Sequence, residues 1–473
     1  VQCWIWIASA LLWAALGGVA FAADVPAAAG VPWTPAQIAS LDAEIALRLA
    51  APALKGAHIG LYAIDAARGT VLYARAPDEA FVPASTLKLV TGSAALGKLG
   101  GDFRFRTSLF APQPDGDTVR GDVILRGGGD PLLRASDLSA AAAALAAEGV
   151  KTVAGGLALD VSAFDRVPYA PGWMMEDVPY DFSAIVGGLM LEENTVTVHV
   201  AATAPGAPAT LGLTPLTSAV TLENAVATGA AGSEDTVDVE RDGAALRVTG
   251  SIPAGKEETL AASVPDPAAY ITDVFARALA AHGVTFDPPL SGAPLFASAP
   301  AAAVPVWTHD SDPLAQLLKW FWYRSDNLVG ETLVKTLGLT TAGAPGTTRN
   351  GVAYELGFLR AAGIDPASLA IVDGSGLSRY DEMTPRAYVT LLQADWNGPN
   401  RQTFLAALPH PVAGADGVYA KSGSMTHVWN LAGFALTQKH GPVTFAFLTD
   451  DYVGSVEALR ATQAAIFARI TGA

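Results

Sequence analysis

The chain has 473 residues, 51% hydrophobic and 16% charged, enough apolar material for more than one buried core. Its formal net charge of −16 excludes the basic face that a nucleic-acid binder needs. One cysteine, Cys3, and seven scattered histidines leave no disulfide, no zinc–thiolate set and no metal-ligand spacing, so the sequence implies no metal and no cofactor.

Residues 4–22 are apolar or small, carry no charge, and end in Ala20-Phe21-Ala22-Ala23. This is the pattern of a secretory leader over 1–23, and it points to an exported, periplasmic or cell-envelope protein. A basic stretch before the apolar run is missing, and a leader left uncleaved would hold the protein at a membrane. Cys3 lies inside the leader, so the mature chain has no thiol. Residues 24–33, rich in Ala, Pro and Val, read as a linker.

Thr34-Pro35 then supplies an N-cap followed by proline at the first helical position. Ile38, Leu41, Ile45 and Leu49 follow at helical spacing. Strands are predicted over 58–64 and 70–74, with Ala67-Arg68-Gly69 as the turn between them. A helix opening at Ser85 runs to about Leu99, where Gly100-Gly101 ends it.

From 103 to 294 the texture changes to short strand-like runs, at 104–110, 122–126, 195–200, 236–240 and 246–249. Arg241-Asp242-Gly243 joins the last two as a hairpin. Helices are predicted at 136–148 and 268–282, and exposed turns at 204–208 and 229–233. From Trp307 the chain reads as helical, with elements at 313–323, 328–337 and 352–361. Two strands, 431–437 and 443–449, and a helix at 456–470 close it. Strands at both ends with helices between them imply one discontinuous α/β domain, 24–102 plus 295–473, interrupted by an inserted β-rich region at 103–294.

Three short motifs carry chemistry. Ser85 and Lys88 stand three apart on a helix, hence on one face, where an amine can take the serine's proton. Ser325-Asp326-Asn327 follows a helix end, and Lys421-Ser422-Gly423-Ser424 precedes a strand. Alone, the first reads as a chance pair on a solvated helix face, the second as a turn or N-cap and the third as an exposed loop. In this order they match the set used for acyl-enzyme chemistry on D-alanyl peptides and β-lactams. Ser85 would attack a carbonyl. Lys88 would need a depressed pKa, supplied by a dry site and a neighbouring cation, for which Lys421 is the candidate. Lys421 could also bind a terminal carboxylate. Ser325 would relay the proton to the leaving amine. Asn327 would bond the acylated substrate or hold Lys88. Ser422 and Ser424 would offer hydroxyls to the carboxylate, and the backbone N–H groups of Ser85 and Ser424 would form the oxyanion hole beside Gly423.

Longer matches extend this. They include Pro83-Ala84-Ser85-Thr86-x-Lys88, Asp102-Phe103-Arg104-Phe105, Gly121-Asp122, Gly129-Asp130-Pro131-x-Leu133, Ala170-Pro171-Gly172-Trp173 and Glu193-Asn194. Asp373-Gly374-Ser375-Gly376-Leu377-Ser378-Arg379 and Asn430-Leu431-Ala432-Gly433 lie downstream. Over nearly all of the mature chain the sequence resembles the D-alanyl-D-alanine carboxypeptidase/endopeptidase family of type-4, or class C, low-molecular-mass penicillin-binding proteins. The resemblance implies a β-lactamase/transpeptidase-like antiparallel sheet with flanking helices, interrupted by two nested domains. It implies peptidoglycan stem peptides as substrate and β-lactam antibiotics as covalent inhibitors. It also marks Asp177 as the group that receives the amino group of a diaminopimelate side chain, with Glu176 as competitor and a plain surface acid as the simpler role. Departures are Ser422 in place of a common threonine, Met425 in place of leucine, Met174-Met175 in place of an aromatic-containing pair, and the missing disulfide cysteines. Two other readings stand beside it. A β-lactamase would be more compact between Ser85 and Ser325, and a silent wall-binding protein would not need complete motifs. The sequence specifies no oligomeric state.

Overall fold

The computed structural model describes residues 30–300, 302–409 and 417–472. The expected leader, Cys3 and most of the expected linker lie outside the described residues.

The organising element is a five-stranded antiparallel sheet. Its order is Val418–Met425, Val428–Leu436, Pro442–Asp450, His58–Asp65 and Val71–Arg75. Chain ends and beginnings therefore share one sheet, as the discontinuous reading requires. Both faces are covered. Leu61, Ala63, Phe445 and Phe447 pack with Leu41 and Ile45 of the helix Pro35–Leu49 and with Leu459 and Phe467 of Val456–Thr471. Tyr62, Ile64, Ala446 and Leu448 face the other way, toward Leu87, Val90, Phe321, Val329 and Tyr388. Strand side chains alternate between faces, so a sheet covered on both sides carries apolar residues at nearly every position.

The helix Pro35–Leu49 starts as expected: the Thr34 side chain accepts from Gln37 N, and the Gln37 side chain caps back. Gly100, at φ 80°, ends the helix Lys88–Leu99. Helices Leu314–Arg324, Asn327–Ala342, Thr348–Ala361 and Val456–Thr471 lie where helical periodicity places them. The helix Pro385–Asn397, with Thr384 as its cap and Pro385 in its first turn, is not read from the sequence, although those two residues carry the signal.

Between Lys88–Leu99 and Leu314–Arg324 the chain builds one five-stranded and three three-stranded sheets with the helices Ala135–Ala147 and Pro267–Ala281. Leu109, Leu125, Val198, Val248 and Phe275 belong to one continuous apolar cluster there. Trp307–Asp310 pairs antiparallel with Arg106–Phe110, and Leu295–Phe296 pairs with Leu157–Asp160. The inserted sheet therefore extends to Asp310, past the edge expected at 294 and into the stretch expected to be helical. Four residues are too short a run for period-2 alternation to declare itself. Among the described residues no helix is long and apolar enough to cross a membrane.

Candidate active site

Ser85 sits in a 3-10 turn, Ala84–Leu87, that feeds directly into the helix Lys88–Leu99. The preceding Ala84 has φ 47°, an uncommon left-handed conformation for a residue with a side chain. Its surroundings hold it there. Asn430 Nδ2 donates to Val82 O at 2.8 Å and to Pro83 O at 2.9 Å, and Thr86 Oγ1 donates to Pro83 O at 2.6 Å. Gly376 lies so close that a Cβ on it would stand 2.0 Å from Ala84 O. Strain of this kind persists only where packing over-determines it, and it concentrates at functional sites.

Lys88 is 0% exposed, and its Nζ meets three oxygens: Ser85 Oγ at 2.8 Å, Asn327 Oδ1 at 2.6 Å and Ser375 O at 2.6 Å. The last two can only accept. In a neutral amine they take the two N–H groups, and the lone pair is left facing the Ser85 hydroxyl. Burial pulls the Lys88 pKa down to about 8, against the opposing pull of Asp373, Asp326, Glu331 and Asp381. Dehydration of the amine is the largest cause, ahead of the neighbouring cation expected for this part, and Lys88 and Lys421 disfavour each other's charge.

Ser325 closes the helix Leu314–Arg324 in a left-handed conformation, φ 57°, and Asp326 caps the next helix by accepting from Val329 N at 3.1 Å. This double cap leaves Ser325 facing Lys421 of the strand Val418–Met425 and Asn327 facing Lys88. Lys421 Nζ lies 2.8 Å from Ser325 Oγ and donates to Ser422 O at 2.7 Å. Lys421 is buried, and dehydration pushes its pKa well below the usual lysine value.

The third motif is not the loop that its composition suggests. It lies in Val418–Met425, an edge strand of the main sheet. Lys421 and Gly423 are buried while Ser422 and Ser424 are exposed, as period 2 dictates. A Cβ at Gly423 would stand 2.9 Å from Ser85 N, 2.8 Å from Thr86 N and 2.7 Å from Pro83 O. Glycine is what lets this strand lie against the backbone of the serine turn, bringing Ser424 beside Ser85.

Asp177 stands apart, in the 3-10 turn Met175–Asp177 of the insertion. Burial, helped by Glu176, raises its pKa, and Arg379 opposes the rise. Its segment reaches the site through Trp173, whose Nε1 donates to Asp373 Oδ2 at 3.1 Å, and through Gly172, packed on Ser378 and Tyr380. Asp177 therefore sits on the rim.

The structure thus places eight of the nine candidate residues in two bonded groups and the strand that adjoins them. Ser85, Lys88 and Asn327 form one group, and Ser325, Lys421 and Ser422 the other. Sequence reasoning assigns no role to Asp373, Ser375, Asn430 or Phe182. The first three lie within longer motifs of the chain, but Ser375 and Phe182 contribute backbone carbonyls, for which no side-chain signal exists. Among the described residues no group of three or more His, Cys, Asp or Glu side chains is placed to hold a metal ion.

The D-Ala-D-Ala carboxypeptidase 3 (S13) family matches residues 41–471. A D-alanyl-D-alanine carboxypeptidase of Actinomadura sp. (strain R39) is 36% identical over 451 residues, covering 89% of this chain and 82% of that protein. The crystal structure of penicillin binding protein 4 (dacB) from Haemophilus influenzae superposes with a TM-score of 0.78 at 24% identity, covering 90% of this chain and 98% of that one. The same protein complexed with a novel β-lactam gives 0.74 at 23% identity, with the same coverage.

Proposed function

The chain belongs to the D-Ala-D-Ala carboxypeptidase 3 (S13) family and is a D-Ala-D-Ala carboxypeptidase, and from that premise we propose that Ser85 carries its acyl-enzyme and Lys88 serves it as base. One observation supports this most directly: Lys88 Nζ has acceptor-only oxygens on two sides and Ser85 Oγ at 2.8 Å on the third.

In this reading neutral Lys88 takes the Ser85 proton as Oγ adds to the carbonyl carbon of the penultimate D-alanine. The oxyanion forms against the backbone N–H groups of Ser85 and Ser424, whose backbones Gly423 brings together. As the C–N bond breaks, the proton that Lys88 took from Ser85 passes by way of Ser325, which Lys421 orients, to the leaving amine, and Lys88 is neutral again. Water then cleaves the ester, and Lys88 acts again as base. Val418–Met425 is an edge strand, so an extended stem peptide can pair along it, with Ser422 and Ser424 near its terminal carboxylate. When the leaving amine belongs to a second stem peptide, the same steps cut a cross-link. In a β-lactam the leaving amine stays tethered to the acyl group and obstructs water, which leaves a lasting adduct. Asp177, on the rim, is the candidate receptor for a cationic stem-peptide side chain. The setting proposed is the bacterial cell envelope, after export.

The test is release of D-alanine from a diaminopimelate pentapeptide, together with intact-mass detection of a penicillin adduct. Ser85→Ala is expected to abolish both. An adduct that survives this substitution would place the nucleophile elsewhere, and rapid steady turnover of penicillin would identify a β-lactamase.

A further inference from the structure

The two oxygens that aim Lys88 are themselves held from the insertion. Asn327 Nδ2 donates to Phe182 O at 2.8 Å, which commits the amide to presenting Oδ1 to Lys88. Phe182 lies in the turn Asp181–Ser183. Ala184, Val186 and Met190 seat the following segment against Leu328, next to Asn327. Ser375 O projects from a loop wound around buried Asp373. That carboxylate accepts from Ser375 N at 3.1 Å, Gly376 N at 2.7 Å, Ser378 N at 2.9 Å and Ser375 Oγ at 3.2 Å. A fifth donor, Trp173 Nε1 at 3.1 Å, arrives from the insertion. On the catalytic side the loop is bonded at Gly374, to Glu331 Oε1 and Thr91 Oγ1, at Arg379, which donates to Thr426 O at 2.9 Å, and through Ser375 O to Lys88 itself.

Resting on the assignment of Lys88 as base, we propose that the insertion is a brace for the general base: Trp173 acting on Asp373, and the Phe182 carbonyl acting on Asn327, together aim the Lys88 lone pair at Ser85. Trp173 and Asp373 are positioning residues for acylation. An amine free to rotate would offer an N–H, not its lone pair, to the hydroxyl for much of the time. A loss of aim of this size, transmitted from outside the reacting atoms, is enough to slow chemistry by large factors. The insertion then has a part in the chemical step itself, beyond any part in choosing substrate.

The experiment measures acylation of the full-length protein by benzylpenicillin across pH, separating the limiting acylation rate from the affinity that precedes it. Rates are expressed per titratable site. Benzylpenicillin lacks the stem-peptide side chain, so contacts of that chain with the rim near Trp173 do not enter. Trp173→Phe removes one N–H and keeps an aromatic ring, and is expected to lower the plateau rate roughly tenfold with the preceding affinity unchanged. Asp373→Asn loses acceptors from the loop and is expected to lower it about a hundredfold. It should also move the midpoint of the pH profile down, because Asp373 is one of the charges that hold the Lys88 pKa up. A purely structural role would instead reduce the number of titratable sites and the melting temperature, leaving the rate per site unchanged, and that result overturns the proposal. If Asp373→Asn does not fold, Trp173→Phe decides alone. The premise is separately exposed: an adduct retained in Ser85→Ala sinks the reading of the site, whereas a Ser85-dependent adduct formed at wild-type rate in Trp173→Phe sinks only the brace.

Discussion

Lys421 Nζ lies 2.8 Å from Ser325 Oγ, matching the 2.8 Å contact between Lys88 Nζ and Ser85 Oγ. Acyl transfer needs a proton removed from one oxygen and delivered to one nitrogen, and the proposed mechanism gives one amine–hydroxyl pair to each task. Both amines are dehydrated, and Lys88 depresses Lys421 further, so the site disfavours two charges at once. In the proposed mechanism a proton gained at Lys88 is therefore pressed onward toward the leaving group.

The pH dependence of acylation follows from the base. Lys88 is neutral above its pKa of about 8, so the acylation rate should rise with pH through about 8 and then level off. Lys88→Met keeps the length of the side chain and removes the base. It should lower the plateau by roughly 10²–10⁴-fold, as read by stopped-flow acylation. A wild-type profile in that variant would exclude Lys88.

Ser325→Ala separates proton delivery from attack. An amide leaving group must be protonated as it departs, whereas a thioester leaving group departs as a stable thiolate. The variant should lose about 10²-fold on D-Ala-D-Ala peptides and far less on a matched thioester. Equal losses on both substrates would assign Ser325 to binding.

Gly423→Ala inserts a methyl between two backbones. The new Cβ would stand under 3.0 Å from three backbone atoms, Pro83 O, Ser85 N and Thr86 N, none of which can rotate away. The strand must shift from the serine turn. Acylation should fall about 10²-fold, and urea denaturation should show a loss of about 1–3 kcal/mol.

Asp177→Asn tests the rim. If Asp177 receives an ammonium group, the variant should lose roughly tenfold in kcat/KM on peptides with a free side-chain amine. On the N-acetylated peptides it should change little. A uniform effect on both would leave Asp177 as a surface acid.

Stability should respond to pH through Glu355. This side chain is 0% exposed, and burial raises its pKa well above 4.5, against the opposing pull of a hydrogen bond with Thr91. The folded state then binds a proton that the unfolded state has released. That contribution is complete below about 4.5 and is lost as pH rises toward the folded pKa. Glu355→Gln removes the titration. Its stability should fall less steeply above pH 5 than the wild type's, by up to about 1.4 kcal/mol per pH unit in urea titrations. Parallel curves would show that Glu355 is not protonated in the fold.

Local geometry was legible in the chain. Helical spacing marked the helices over 35–49, 314–324 and 456–471, and the i, i+3 separation of Ser85 and Lys88 put them on one face. Elements whose residues serve the site were harder to read. Lys421-Ser422-Gly423-Ser424 has no apolar alternation, because that edge strand turns lysine and glycine inward and leaves its serines exposed, so it reads as a loop. The motifs marked Ser325, Asn327 and Lys421 and offered Asn327 as a partner of Lys88, but not the pairing of Lys421 with Ser325. Only the tertiary structure decided that Lys421 meets Ser325, that burial is the largest cause lowering Lys88, and that the backbone carbonyls of Ser375 and Phe182 hold Lys88 and Asn327. The physical reason is one of range. A helix sets the relation of residues three apart, whereas dehydration and the meeting of residues 96 or 239 positions apart exist only once the elements have packed.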